Sequence, residues 1–159
     1  MRLPLRPSTR ALQTAQKMLA GVAIDNRIEV GAANASAATQ QRKLREALAE
    51  SSVEFESASA RLTAKGKALL DELAVIIQED PGTRIEVQGH TDGRGSAERN
   101  LRLSEARAAA TVEYLVGKGI AAKRLSARGY GQNRPIAHND SEEGRRQNRR
   151  IDFLVEEGN

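Results

Sequence analysis

The spacing of apolar residues from Ser52 onward is the feature that most constrains the fold. Val53 and Phe55 alternate with glutamates, a pattern that predicts a strand with one buried face. Helical spacing then takes over and ends at the turn of residues 80–82. The apolar members of this helical run are Leu62, Leu69, Leu70, Leu73, Ile76 and Ile77. A strand followed by a helix of this kind predicts helices packed on a sheet.

The same change of period repeats through the rest of the chain. Ile85 and Val87 predict a second strand that ends at Gly89, and a second helix is expected from about Ser96 to the glycines at 117 and 119. A third strand follows at residues 125–127, and a last one at residues 151–155. Four strands with intervening helices predict an α/β (α+β sandwich) class, with a mixed four-stranded sheet and helices packed on one face. Periodicity alone does not give the order of the strands.

The first 49 residues follow a different pattern from the remainder. Helical spacing at residues 12–22, a short alternating stretch at residues 27–30 and a second helical stretch at residues 40–50 indicate a small αβ segment. We therefore expect residues 1–49 to be an N-terminal αβ remnant or a linker helix region. Residues 50–159 are expected to form the main domain.

Composition excludes several classes of protein. The chain of 159 residues has no cysteine, which rules out disulfides, thiolate catalysis and cysteine zinc sites. Its net charge of +4 is a mild bias that suits work near anionic polymers. No apolar run reaches the ~18 residues of a spanning helix, so no membrane span is expected in this chain. Residues 1–10 are basic, yet the apolar stretch of an export signal does not follow them.

A candidate binding site lies between the end of the second strand and the second helix. Asp92 follows the strand, and a Gly-Arg-Gly run after it permits close approach of a ligand. Asn100, Ser104 and Arg107 share one face of the helix at i, i+4 and i+7. Asp92 and Arg107 could clamp a zwitterion, with the carboxylate on its ammonium and the guanidinium on its carboxylate. Alternatively, Asp92 and Arg107 pair with each other and fix the loop to the helix.

Several motifs together resemble those of a known family. They are Gly89-His90-Thr91-Asp92, Asn100, Leu103-Ser104, Arg107-Ala108, Gly129-Tyr130-Gly131 and Asn148-Arg149-Arg150-Ile151. Over residues of about 50–156, the chain resembles the OmpA-like C-terminal domain family, which binds peptidoglycan non-covalently in the bacterial envelope. The resemblance implies an envelope protein that is periplasmic or associated with the outer membrane and anchored to the cell wall. It also leaves open that the chain is the wall-anchoring part of a stator-type or outer-membrane protein.

The resemblance also implies roles for individual residues. Asp92 would take the amino group of the diaminopimelate in the peptidoglycan stem peptide, and Arg107 would take the carboxylate at the same centre. Asn100 would brace the loop, and Arg149 would line the pocket. Two further contacts with the ligand are expected from Thr91 and Asn148.

Catalytic and cofactor sites find no support in the residue pattern. His90 and His138 are too few for a zinc site, which usually needs three or four soft or imidazole ligands. No serine stands in a Gly-x-Ser-x-Gly turn, and no Gly-x-Gly-x-x-Gly run is present. We therefore expect no metal, no cofactor and no enzymatic activity. His90 is expected to be a hydrogen-bonded residue at the end of its strand.

A basic run near the C-terminus suggests nucleic-acid binding as an alternative function. Its members are Arg145, Arg146, Arg149 and Arg150, but three acids in the same stretch, Asp140, Glu142 and Glu143, leave only about +1. Aromatic residues on which bases could stack are missing nearby. Nucleic acid is therefore not an expected partner; the family resemblance implies peptidoglycan as the partner, and a homodimer is left open.

Overall fold

The structure is a computed structural model that describes the backbone of residues 31–157 and the side chains of residues 36–157. The helix predicted at residues 12–22 and the strand predicted at residues 27–30 lie outside the described residues. The elements are α1 (Gly31–Glu50), α2 (Ala64–Gln78), β1 (Thr83–His90), α3 (Ala97–Gly117), a 3₁₀ turn (Ala122–Arg124), β2 (Leu125–Gly131), α4 (Glu142–Asn148) and β3 (Arg150–Glu157). No helix among residues 31–157 combines the length and the apolar character needed to cross a membrane.

The three strands form one mixed sheet in the order β2-β1-β3. The central strand β1 runs parallel to β2 and antiparallel to β3. Its alternate residues Thr83, Ile85, Val87 and Gly89 are buried, so one face of the sheet carries the core. The predicted α+β class with a mixed sheet is confirmed.

The first of the four predicted strands, at residues 53–55, is wrong. This segment makes only an isolated bridge between Phe55 and Leu62, and the described residues contain no fourth strand. Its backbone folds back on itself, because the amide of Thr63 donates to the carbonyl of Glu54 and that of Glu56 donates to the carbonyl of Arg61. The alternation at Val53 and Phe55 therefore reports a half-buried hairpin-like loop.

The core is aliphatic and is shared by α1, α2, α3 and the sheet. Its buried members are Leu44, Val53, Leu69, Leu70, Leu73, Ala74, Ile77, Ile85, Val87, Ala108, Leu115, Ile120, Ile151 and Phe153. Those in α2 recur every three or four positions, so this helix turns one apolar stripe to the core. This packing fixes where the ends of β1 and α3 lie relative to each other.

Helix α3 approaches the sheet closely at two paired glycines. Gly89 of β1 lies opposite Gly129 of β2, and Ser104 of α3 packs on both. A Cβ atom at Gly89 would collide with the Ser104 carbonyl oxygen, and one at Gly129 would lie 2.6 Å from Ser104 Oγ. The fully buried Ser104 hydroxyl donates to Leu101 O at 2.8 Å and accepts from Gly131 N at 2.9 Å. Asn100 and Arg107, on the same stripe, are thereby held beside the C-terminal end of β1.

The second half of α1 packs on the same core through two adjacent glutamines and a leucine. The Gln40 amide group donates to Ile76 O at 2.9 Å and Ile77 O at 3.2 Å, and its oxygen accepts from the Thr83 hydroxyl. Gln41 donates to Phe153 O at 2.7 Å and accepts from Val155 N at 2.8 Å on β3. Leu44 is fully buried. The helix predicted at residues 40–50 is confirmed, and it begins earlier than expected, at Gly31.

Candidate functional site

A cavity of about 810 Å³ lies at the C-terminal end of β1. Its walls come from residues 52–58, the loop after β1, α3, α4 and the beginning of α2 and β3. Five of the six predicted site residues line it: Thr91, Asp92, Asn100, Arg107 and Arg149. Asn148 does not line it.

The Asp92 carboxylate is nearly buried, and hydrogen-bond donors occupy both lone pairs of its Oδ2 atom. Its Oδ1 accepts from the Arg94 amide at 2.9 Å. Its Oδ2 accepts from Arg149 Nη1 at 2.6 Å and from Arg94 Nη2 at 3.2 Å. Burial opposes ionisation, but these hydrogen bonds outweigh it and hold the pKa of Asp92 below its usual 3.8. The cavity therefore contains a carboxylate that is negative at neutral pH.

Arg107 is held by backbone carbonyls and an aromatic ring. Its Nε donates to Ser59 O at 2.7 Å, its Nη2 contacts Glu56 O at 3.4 Å, and its guanidinium carbon lies 5.0 Å from the centre of the Phe55 ring. Burial and the nearby Arg149 lower the pKa of Arg107, and Asp92 partly offsets this. The group stays cationic, since arginine keeps its proton in proteins.

The direct Asp92–Arg107 pair that the sequence left open is not formed. Within residues 36–157, Arg107 has no ion pair with a carboxylate, and Asp92 pairs with Arg94 and Arg149 instead.

The loop that holds Arg107 includes Ala58 at φ 54, a left-handed conformation that costs roughly 1–2 kcal/mol for a residue with a Cβ. Phe55 and Ser59 were missed as site residues, because the alternation there predicted an ordinary strand.

Arg149 bridges two carboxylates at the edge of the cavity. It contacts Asp92 as described, and its Nη2 lies 2.7 Å from Glu142 Oε2. Burial would lower the pKa of Arg149, but the hydrogen bonds to Asp92 and Glu142 outweigh it and raise the pKa above its usual value. The same contact lowers the pKa of Glu142. Arg149 is thus a cation fixed between two acids.

Asn100 and Thr91 stabilise the loop that carries Asp92. The Asn100 amide group donates to Arg94 O at 2.8 Å, to Gln132 Oε1 at 2.7 Å and, more weakly, to Asp92 O at 3.4 Å. The amide of Thr91 donates to Gly131 O, and its hydroxyl donates to Asp92 O at 3.0 Å. These contacts place Asn100 where a loop-bracing role requires it.

Asn148 is fully buried and does not reach the cavity; its side chain bonds to other residues of the chain. Its Oδ1 accepts from the amides of Ile136 and Ala137 at 2.7 and 3.0 Å, and its Nδ2 donates to Ala137 O and Asn139 Oδ1. All of these partners belong to the loop before α4. Asn148 therefore supports that loop, and the structure does not bring it together with the other five predicted residues.

His90 also lines the cavity, in a manner that the sequence did not predict. Its ring stacks on Tyr130 with 5.4 Å between centroids, and neither ring nitrogen makes a hydrogen bond with the described residues. The prediction that His90 is hydrogen-bonded is therefore wrong, although its Nε2 lies 3.4 Å from Asp152 Oδ2. Burial, Arg150 and Arg134 together outweigh Asp152 and lower the pKa of His90 to about 4. The ring is neutral at physiological pH.

The basic run is largely engaged in contacts within the chain. Arg145 donates to Asn139 O at 2.8 Å, and Arg150 lies 3.0 Å from Asp152 Oδ2. Arg149 is bound between Asp92 and Glu142.

Residues 36–157 contain no group of three or more histidine or carboxylate side chains placed to hold a metal ion.

Comparison with known proteins agrees with this architecture. The sequence model of the OmpA family matches residues 54–149, and the chain belongs to this family. It is 38% identical over 103 residues to the Escherichia coli K12 protein named "Probable lipoprotein YiaD", a match that covers 65% of this chain and 47% of that protein. The chain thus spans about half the length of this relative.

Two solved structures share the fold. The peptidoglycan-associated lipoprotein of Burkholderia pseudomallei superposes with a TM-score of 0.59 at 32% identity, over 66% of this chain and 87% of that chain. The periplasmic domain of Helicobacter pylori MotB gives a TM-score of 0.59 at 29% identity, over 66% of this chain and 71% of that chain.

Proposed function

We propose that this domain binds peptidoglycan non-covalently, through the diaminopimelate of the stem peptide, and so anchors an envelope protein to the cell wall. The observation that carries the proposal is one cavity with an ionised Asp92 and an Arg107 that lacks a carboxylate partner among the described residues. Membership of the OmpA family and the likeness to a peptidoglycan-associated lipoprotein support it. A place in the periplasm or at the outer membrane is part of the same proposal.

The free donors of Arg107 suit a carboxylate. A guanidinium has five N–H groups, and the contacts with Ser59 O and Glu56 O engage Nε and one N–H of Nη2. Three N–H groups on Nη1 and Nη2 remain, enough for a two-bond fork on a carboxylate. Phe55 and the two carbonyls fix the plane of the guanidinium before the ligand arrives, which reduces the ordering cost of binding.

Asp92 supplies the complementary charge for the ammonium of the same centre. Its four lone-pair positions hold three donors, so one position stays open on Oδ1. An ammonium on Asp92 and a carboxylate on Arg107 would neutralise both groups in a partly dry cavity. We propose binding without catalysis, in which Asp92 and Arg107 serve only to hold the ligand.

Sedimentation with purified sacculi that contain diaminopimelate tests the proposal. The wild-type protein should enter the pellet and leave glycan and peptide intact. Asp92→Asn and Arg107→Gln should each lose at least ~30-fold in affinity, because removing one partner of a desolvated charge pair costs ~2–5 kcal/mol. Asp140→Asn and Arg102→Gln change the same charges at exposed positions outside the cavity lining and should bind as wild type.

Three results would contradict the proposal. Normal pelleting of both site variants would show that the two charges do not contribute to binding. Release of soluble muropeptides would show that the protein is an enzyme. Equal affinity for lysine-type and diaminopimelate-type peptides would show that Arg107 does not contact the ligand. The alternative, nucleic-acid binding, predicts an affinity for DNA that falls steeply with salt.

A further inference from the structure

The cavity carries more positive charge than a zwitterion needs. Two acids line it, Glu54 and Asp92, against six bases: Lys65, Arg94, Arg107, Arg146, Arg149 and Arg150. The zwitterionic end of diaminopimelate adds one charge of each sign, so it leaves this imbalance unchanged. Some of the remaining cations are available for other anionic groups of the ligand.

Ion pairs within the chain account for three of the six bases. Arg94 pairs with Asp92, and Arg149 pairs with Asp92 and Glu142. Arg150 pairs with Asp152. In the proposed complex, Arg107 is taken by the diaminopimelate carboxylate.

Lys65 and Arg146 remain. Both are exposed, and neither forms a hydrogen bond or an ion pair through its side chain with residues 36–157. Lys65 lies in the first turn of α2 and Arg146 in α4, so two different elements each contribute one of these cations to the cavity. The two are therefore free to bind two separate anionic groups of one ligand.

We infer that Lys65 and Arg146 form a second subsite in the cavity, which binds free carboxylates on either side of the diaminopimelate. The inference rests on the proposed function. A stem tetrapeptide has two such groups, the α-carboxylate of its γ-linked glutamate and the C-terminal carboxylate of its last alanine. Two cations that are unpaired within residues 36–157 thus match two carboxylates, one on each residue next to the diaminopimelate.

This charge match defines the substrate class of the site. Cross-linking through the terminal alanine consumes its carboxylate, and cross-linking through diaminopimelate acylates the amine that Asp92 would bind. Amidation of the glutamate removes the other negative charge. The domain accordingly prefers stem peptides that are neither cross-linked nor amidated.

Calorimetric titration with four synthetic tetrapeptides tests the subsite. The peptides contain alanine, γ-linked glutamate, diaminopimelate and alanine, and are unmodified, amidated at glutamate, amidated at the C-terminus, or amidated at both. Each amidation should weaken wild-type binding about two- to fivefold at low salt, the range of exposed charge pairs. Lys65→Gln with Arg146→Gln should bind all four peptides about equally, while Arg99→Gln with Arg102→Gln should discriminate as wild type does.

The doubly amidated peptide separates failure of this inference from failure of the proposed function. It keeps the zwitterionic end, so wild-type protein should still bind it, and Asp92→Asn should not. If wild type binds all four peptides alike, or if the Lys65/Arg146 double variant still discriminates among them, the subsite is wrong and the zwitterion clamp survives. If wild type binds none of the four, the proposed function itself fails.

Discussion

At the scale of single residues, the ionised Asp92 carboxylate is already paired with two guanidinium groups before a ligand arrives. Arg149 and Arg94 both lie on Oδ2, but they are held differently. The Arg149 side chain is 30% exposed and has a second acid in Glu142, whereas the Arg94 side chain is 63% exposed. An ammonium at the open position of Oδ1 competes with both cations for the same carboxylate, and Arg94 is the one it displaces more easily.

Arg94→Gln should consequently strengthen the binding of diaminopimelate peptides, by up to about fivefold. The substitution removes an exposed competitor worth ~0.2–1 kcal/mol and keeps the backbone amide that donates to Oδ1. Calorimetry on the doubly amidated tetrapeptide isolates this effect from the flanking carboxylates. Arg102→Gln is the control, and a loss of affinity in Arg94→Gln would show that Arg94 contacts the ligand instead.

His90 makes folding depend on pH. Its pKa of about 4 in the folded chain is below the usual 6.5, so between these values only the unfolded chain takes up the proton. Stability from the neutral ring is complete above pH 6.5 and declines as the pH falls towards 4. At pH 5 the loss is about 2 kcal/mol relative to pH 7.5, from the difference in proton binding between the two states.

Urea unfolding at pH 7.5 and pH 5 measures this contribution. Wild type should lose about 2 kcal/mol more than His90→Gln between the two pH values, whatever the absolute stability of the variant. His138→Gln, at an exposed position, should follow wild type. An equal loss in wild type and His90→Gln would show that the ring titrates alike in the folded and unfolded chains.

At the scale of elements, the contact of α3 with the sheet sets the distance across the cavity. Ser104 lies against the paired glycines of β1 and β2, while Arg107 and Asn100 extend from the same face of α3. A side chain at Gly89 would push α3 away from the strand that carries Asp92. The proposed clamp depends on this spacing because both of its charges must reach one ligand centre.

Gly89→Ala should therefore lower both stability and binding. Overpacking of this kind costs ~1–3 kcal/mol, and the obstacle is backbone, which cannot rotate aside. Gly117→Ala is the matched control at the end of α3, where a Cβ meets no atom within 4 Å, and it should stabilise the protein by up to ~1 kcal/mol. Thermal unfolding and sedimentation with sacculi measure the two effects, and wild-type behaviour of Gly89→Ala would contradict the close approach.

The elements were predictable where burial follows a simple period. Alternation identified β1 and β3, and helical spacing identified α2 and α3. The strand β2 was also predicted, although its burial does not alternate. Alternation failed at Phe55, because it reports a half-buried segment without saying whether a neighbouring strand pairs with it. It also could not show that Phe55 lies against Arg107.

The motifs predicted residues of which five line one cavity, but they did not predict the contacts among them. Thr91, Asp92, Asn100, Arg107 and Arg149 do line one cavity. The partners of each charge depend on side chains from distant elements, such as Glu142 for Arg149. The complete burial of Asn148 follows from the path of a polar loop, which has no periodic pattern to indicate it.

At the scale of the whole molecule, α1 contributes to the stability of the domain although it precedes the residues matched by the family model. Leu44→Ala should cost ~2–5 kcal/mol, because it removes a fully buried side chain from the shared core. Arg45→Ala, on the exposed side of α1, should cost less than ~0.5 kcal/mol. Urea unfolding compares them, and equal stability of the two variants would show that α1 is dispensable.

The two hydrogen bonds of Gln41 with β3 have a consequence for behaviour at high concentration. Its amide group donates to one residue of β3 and accepts from another, as the backbone of an adjacent strand would. An edge strand without such a neighbour is a template on which other chains add strands and aggregate. Helix α1 therefore covers part of this edge, and detaching α1 would expose these backbone groups of β3 to pairing with other chains.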